Sequence, residues 1–260
     1  MYKLIGTDFD GTLLNDKKQV MKKTIESLKE TRKRNIIIVG VTGRTLESVK
    51  NAVDINIFDY LILNNGSNIY DVVNKKIIYN NAIPKQIAKW VTKFSEEFTY
   101  QYDYCTFSTY NKYKNYVKEN IPFIKEINSI DEIKDPIAKI NIFPKKEANI
   151  KSLYNSIKKK YKSIQTIIMQ DSGNEKKWIV LTPKNLNKKE ALKYLGDLLK
   201  IELSEMVFFG DGLNDIEVIE TVGMGVAMEN ALEEIKDKAK YITKSNNEDG
   251  IAYFINKELK

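Results

Sequence analysis

Histidine is missing from all 260 residues, and cysteine occurs once, at Cys105. The first absence excludes histidine-based catalytic triads, phosphohistidine chemistry and histidine metal sites, so acid–base work must fall to Asp, Glu, Lys, Tyr or Cys. The second excludes an internal disulfide. With no histidine to activate it, Cys105 is expected to be a small packing residue. The chain also lacks the apolar core of a signal peptide and any run near the roughly 18 residues of a membrane span, which predicts a cytoplasmic protein with no membrane partner. What remains is ordinary for a globular chain, and its length suits one large domain or a domain with a sizeable insertion.

Arginine is missing from the middle of the chain. Between Ile83 and Thr182 there are 18 Lys and no Arg against 11 Asp and Glu, whereas the remainder holds 24 basic and 24 acidic residues. The formal charge of +7 therefore sits wholly in the middle segment. Such a module attracts anionic ligands. Nucleic acid is not the expected partner, because arginine dominates base and phosphate recognition. Tyr100, Tyr102, Tyr104, Tyr110, Tyr113 and Tyr116 offer stacking surfaces. The period of two in the first three, however, places them on one sheet face, where strand packing accounts for them.

Short continuous apolar runs at Asn35 to Val41, Tyr60 to Leu63 and Met206 to Gly210 read as buried strands. Helical patterns lie between them at Val20 to Arg34, Thr45 to Val53, Lys188 to Lys200, Asn214 to Glu220 and Ala231 to Lys238. This alternation predicts an α/β fold with a Rossmann-like, doubly wound parallel sheet. From Ile83 to Thr182 the texture changes to aromatic and β-branched segments separated by helical stretches at Pro84 to Phe98 and Glu147 to Lys160, which predicts an inserted α+β module.

The first apolar run ends in DFDGTLL, Asp8 to Leu14. A buried strand over Leu4 to Asp8 sets Asp8 and Asp10 on the same side of the chain as it leaves the sheet. Gly11 allows the turn that follows, and the Thr12 hydroxyl is expected to satisfy the loop backbone. Two close carboxylates repel unless a cation or a shared proton compensates them. The pair therefore implies a divalent metal or coupled acid–base chemistry.

Three more segments carry chemistry. VTGR, Val41 to Arg44, sets Thr42 at the same sheet edge as Asp8 and lets the Gly43 amide approach a ligand; hydroxyl and amide together suit a phosphate oxygen. Lys188 stands in the first turn of a helix, where a cation opposes the dipole and needs another reason to be there. Neutralising a transferring phosphoryl group supplies one, and Lys189 competes for that role. GDGLND, Gly210 to Asp215, places Asp211 at a strand end and Asp215 one helical turn later, hard oxygen ligands that suit Mg²⁺.

DFDGTLL, VTGR, Lys188 and GDGLND resemble, in order and spacing, the haloacid dehalogenase-like superfamily, in particular its Cof-type sugar-phosphatase branch. GMGVAMENALEEIKDKAKYIT and SNNEDGIAYFI resemble its C-terminal pattern, and NNGS at Asn64 to Ser67 is similar to its NGA segment. Lys189 departs from the glycine common there. The resemblance implies a catalytic core over 1–82 and 183–260 and an α/β cap over 83–182. It implies that Asp8 attacks phosphorus while Asp10 serves as general acid and then base. Asp8, Asp10 (through its backbone carbonyl) and Asp211 would hold Mg²⁺, with Asp215 either a further direct ligand or a partner behind them. Thr42, Gly43 and Lys188 would hold the phosphate, and Asn214 would orient Asp8 or the phosphate. Specificity would fall to Arg44, Asp103, Tyr104 and the turn from Asp171 to Glu175. The implied partner is a small phosphorylated metabolite, such as a hexose phosphate or phosphopolyol, acted on by a monomer or weak homodimer. A phosphomutase on the same scaffold and a non-catalytic sugar-phosphate binding module are the alternatives.

Overall fold

The computed structural model describes residues 1–113, 123–170 and 176–259; Tyr116 and the turn from Asp171 to Glu175 lie outside them. In chain order, β1 (Leu4–Thr7) leads through α1 (Lys22–Lys33) to β2 (Ile37–Val41), then α2 (Leu46–Ala52), β3 (Tyr60–Leu63), β4 (Asn68–Asp71) and β5 (Lys76–Asn80). The middle forms α3 (Lys85–Ser95), β6 (Thr99–Cys105), β7 (Tyr110–Tyr113), β8 (Ile124–Ile127), β9 (Lys139–Pro144), α4 (Ala148–Lys160), β10 (Ile164–Gln170) and β11 (Lys177–Pro183). The last part holds α5 (Lys188–Leu199), β12 (Met206–Gly210), α6 (Ile216–Thr221), β13 (Met224–Ala227), α7 (Glu233–Lys236), β14 (Tyr241–Ile242) and α8 (Gly250–Glu258). Residues 1–43, 49–78 and 187–260 form one compact unit, and 44–48 with 79–186 a second. No helix among the described residues is long and apolar enough to cross a membrane.

The first unit carries an eight-stranded sheet in the order β14-β13-β12-β1-β2-β3-β4-β5. Strands β14 through β3 are mutually parallel, and β4 returns antiparallel to β3. The residues explain the parallel part: Leu4, Ile5, Ile38, Val39, Val41 and Met206 to Phe209 are fully buried, as strands covered on both faces must be. The chain lays down β2 and β3 on one side of β1 and later β12, β13 and β14 on the other. Strand order therefore reverses at β1, and the crevice at the carboxyl end of such a strand is where ligands of doubly wound sheets bind.

Two of the boundaries that differ from the sequence expectation do so for local reasons. β2 starts at Ile37 because Asn35 takes a left-handed backbone (φ 61°) that closes α1, its N–H bonding to the Arg32 carbonyl at 2.9 Å. The helix expected from Asn214 starts at Ile216, since residues 213–215 form a tight 3₁₀ turn.

The second unit is built on a six-stranded sheet, β10-β11-β9-β6-β7-β8, antiparallel except between β7 and β8. One face packs Tyr102, Tyr104, Ile140, Ile142, Ile179 and Leu181 against Ala88 and Val91 of α3 and Ile150, Leu153 and Ile157 of α4. Tyr102 and Tyr104 stack at 5.9 Å, and their hydroxyls share hydrogen bonds with Ser95 (2.8 Å) and Thr92 (2.5 Å). Tyr100 does not join them as the alternation predicted. A register shift between Thr99 and Gln101 turns its ring to Phe143, 6.0 Å away. The residues that alternate with the tyrosine pair, Asp103 and Cys105, stand on the other face with their cross-strand partners Lys112, Asn141 and Lys139. Leu46 and Glu47 donate backbone N–H groups to the Phe107 and Ser108 carbonyls (2.9 and 3.2 Å), which groups the start of α2 with this unit.

Tyr104→Phe removes one buried hydrogen bond while Thr92 keeps its bond to the Ala88 carbonyl. It is expected to lower the unfolding free energy by about 1 kcal/mol in urea titration. No loss at all would show that the hydroxyl contributes nothing to this core.

Candidate active site

Asp8 stands one residue beyond β1. Its N–H donates to the Phe209 carbonyl at 2.9 Å, which extends the β1–β12 ladder past the strand and sets the carboxylate at the sheet edge. The side chain is nearly buried, and Lys188 explains how the charge is tolerated. Lys188 opens α5 behind the N-cap Asn187, whose side chain accepts the Glu190 N–H at 2.8 Å. Its ammonium donates to Asp8 Oδ1 at 2.5 Å and to Asp215 Oδ1 at 2.8 Å, and the residue is 1% exposed. Burial disfavours the ammonium, but Asp215 and then Asp8 outweigh it and hold its pKa above the ordinary lysine range. Lys189, the competing lysine, turns outward to Glu190 and Glu217, 3.3 Å from each.

Asp215 is wholly buried, and its second oxygen accepts the N–H groups of Gly212 (3.1 Å) and Asp211 (3.3 Å). That carboxylate therefore folds the GDGLND loop back on itself and aims Asp211. Thr12, expected to serve the loop backbone, instead donates its hydroxyl to Asp211 Oδ1 at 2.6 Å, because the turn brings it against β12's loop rather than under its own. Gly11 makes the approach possible: its φ is +82°, and a Cβ there would lie 2.2 Å from Asp211 Oδ2.

Carboxylate oxygens of Asp8, Asp211 and Asp215 lie within 4.8 Å of one another. Three carboxylates against one ammonium leave an excess of negative charge. Burial, opposed by Lys188 and reinforced by Asp215, pushes Asp8 up to about 7. Burial, opposed by the Thr12 hydrogen bond and reinforced by Asp215, pushes Asp211 up to about 6. Hard oxygen donors in this state of mutual repulsion fit a divalent cation.

A family model described as haloacid dehalogenase-like hydrolase matches residues 5–255. The chain belongs to the haloacid dehalogenase-like hydrolases. It is 28% identical to the 5-amino-6-(5-phospho-D-ribitylamino)uracil phosphatase YcsE of Bacillus subtilis, over 96% of this chain and 93% of that protein. To the phosphatase YwpJ of the same organism it is 27% identical, over 97% and 98%. The crystal structure of a haloacid dehalogenase-like hydrolase from Bacteroides thetaiotaomicron superposes with a TM-score of 0.84 at 26% identity, covering 98% of this chain and 99% of that one. The α/β core and the inserted unit are thus those of a haloacid dehalogenase-like phosphatase, an enzyme that acts on small phosphorylated substrates with a divalent metal.

The other predicted positions of this hydrolase spread more widely. Thr42 is buried at the end of β2, its N–H bonded to the Ile62 carbonyl (2.8 Å) and its carbonyl accepting the Asn65 N–H (3.0 Å). Asn64, Asn65 and Gly66 all take positive φ, which only such residues adopt readily, and this turn lays the Asn65 side chain over Gly43. A Cβ on Gly43 would meet Asn65 Oδ1 at 2.9 Å. The Asn-Asn-Gly run was the available signal for this link between NNGS and VTGR. Asp10 is exposed and paired with Lys18 at 3.0 Å; its side chain is outside the three-carboxylate cluster, yet its charge adds to the repulsion on Asp211. Asn214 is exposed, with its Oδ1 over Gly212, and no hydrogen bond joins it to Asp8. Arg44 is half-buried in the stretch that groups with the second unit.

Of the specificity candidates, Tyr104 is corrected: it faces the helices, fully buried against Tyr102 and Thr92, where no ligand reaches it. Asp103 is on the opposite face, where burial raises its pKa against the pull of Gln101, Lys112, Asn141 and Lys139. Gln101 Nε2 donates to it at 2.7 Å.

Lys188→Met leaves Asp8 and Asp215 buried without their counter-charge, and is expected to cost about 3–5 kcal/mol in urea unfolding. An unchanged midpoint would mean that the two carboxylates do not depend on it. Between pH 4 and 7 the metal-free folded enzyme holds more protons at Asp8 and Asp211 than the unfolded chain, whose aspartates titrate near 3.8, so stability at this site falls as pH rises. A divalent cation relieves that repulsion. Its effect on the melting temperature should therefore be larger at pH 8 than at pH 5.5, and equal shifts at both would remove these carboxylates as its site.

Proposed function

We propose that this enzyme is a Mg²⁺-dependent phosphatase of sugar or polyol phosphates that works through an aspartyl-phosphate on Asp8. The observation that carries the reading is the placement of Asp8 at the sheet's switch point, fixed by Lys188 and flanked by Asp211 and Asp215. Asp8 attacks phosphorus; the bond to the leaving oxygen breaks, and Asp10 gives that oxygen its proton. Asp10 then takes a proton from water, whose oxygen displaces Asp8 and releases phosphate. Its side chain is exposed, and its ion pair with Lys18 is a weak constraint.

Asp8 and Asp211, with Asp215 behind them and the Asp10 carbonyl, would hold Mg²⁺. When bound, the ion neutralises charge on the phosphoryl group. Lys188 balances the same charge from within the fold, and Thr42 and the Gly43 amide are assigned to the non-transferring oxygens. Asn214 is assigned a smaller part, orienting the phosphate. The segment holding all of the net positive charge favours anionic substrates, and Asp103 is assigned a part in specificity. The name of the relative YcsE, which specifies a phosphoribitylamino compound, supports the polyol phosphate class. Nothing in the site favours a mutase or a binding module.

Phosphate release from a panel of sugar phosphates, polyol phosphates, nucleotides and pyridoxal phosphate tests the reading, with Mg²⁺ present or chelated. Asp8→Asn should lose more than about 10³-fold in kcat while keeping its fold. Undiminished turnover in a clean preparation would reject Asp8 as nucleophile, and turnover that survives chelation would reject the metal assignment.

A further inference from the structure

Four strands end the two sheets: β14 and β5 in the first, β10 and β8 in the second. An edge strand presents a row of unpaired N–H and C=O groups, and proteins blunt such edges with shortness or charge. β14 has two residues; β5 begins at Lys76, directly after Lys75; β8 carries Lys125 and Glu126. β10 has neither protection. It runs seven residues, IQTIIMQ, without a charge, inside the segment that holds the whole +7 of the chain. Ile167, Ile168 and Met169 are 37%, 39% and 42% exposed in consecutive positions, so apolar side chains stand out on both faces of the strand. Among the described residues no strand pairs with its outer edge.

We infer that β10 pairs antiparallel with β10 of a second copy of this chain, about a two-fold axis at Ile167. In that register Ile167 opposes itself, Thr166 opposes Ile168, Gln165 opposes Met169 and Ile164 opposes Gln170. The strand matches itself without placing a charge opposite another, which is what an isologous contact requires. The absence of charge makes this strip the place where two copies meet: an acidic partner is drawn to the lysines elsewhere in the segment, whereas two copies meeting there set lysine against lysine. One strand pair is smaller than the roughly 1,200–2,000 Å² of a stable interface, so the dimer is weak and reversible. The net positive charge on each copy opposes it, and added salt strengthens it by screening.

Ile167→Cys tests the register, since directly opposed Cα atoms in an antiparallel pair lie about 4.5–5.5 Å apart, within disulfide range. Cys105 does not compete: it is buried, and burial pushes its thiol up to about 12. Gln165→Cys is the control, because its two copies would lie about 13 Å apart in this register. Under mild oxidation Ile167→Cys should form a covalent dimer and Gln165→Cys should not. In sedimentation, the wild-type dimer fraction should rise with concentration through the micromolar range and with NaCl. Ile167→Lys should remain a monomer with unchanged turnover and melting temperature. A wild type that stays monomeric with no Ile167→Cys dimer, a dimer that survives Ile167→Lys, or equal crosslinking by both cysteines overturns the proposal.

Discussion

One buried ammonium holds the candidate site together. Asp8 arrives from β1 and Asp215 from the loop after β12, and two carboxylates this deep are tolerable only because Lys188 donates to both. That bridge also fixes α5. Lys188 shares its helix face with Leu192 and Leu195, which are fully buried, so the stem follows the apolar stripe inward while its head reaches the carboxylates. Lys189, about 100° further round, has no such route and pairs with surface glutamates.

The bridge is incomplete by design of its charges. A single cation among three carboxylates leaves Asp8 and Asp211 with raised pKa values, and the donors already placed by Thr12 and the GDGLND amides orient the oxygens rather than neutralise them. A divalent cation is the kind of group that would relieve this imbalance. Asp10, two residues on, escapes this cage because Gly11 turns the chain at once and leaves its side chain in solvent beside Lys18. The two aspartates of one short motif are thus set in different environments, one buried against Lys188, the other exposed beside Lys18.

The second unit divides its sheet between two tasks. The face with Tyr102 and Tyr104 is consumed by packing against α3 and α4, and the face with Asp103, Lys112 and Asn141 keeps its polar groups. A single bulge before Gln101 sends Tyr100 away from the other tyrosines, which strict alternation along FTYQYDY could not reveal.

By itself the sequence determined the continuous apolar runs that became the parallel sheet, the change of texture that marked the inserted unit, and the placing of Asp8, Thr42 and Asp211 at strand ends, because these follow from local periodicity and composition. Tertiary structure decided everything that depends on which distant side chains meet. It chose Lys188 over Lys189, turned the Thr12 hydroxyl to Asp211 199 residues away, and buried Tyr104 in a helix interface. It also used Asp215 to fold its own loop, and it joined NNGS to VTGR through the Asn65 N–H. The physical reason is range: propensity and alternation act over a few residues, whereas burial of charge is resolved only when strands far apart in the chain bring compensating groups within hydrogen-bonding distance.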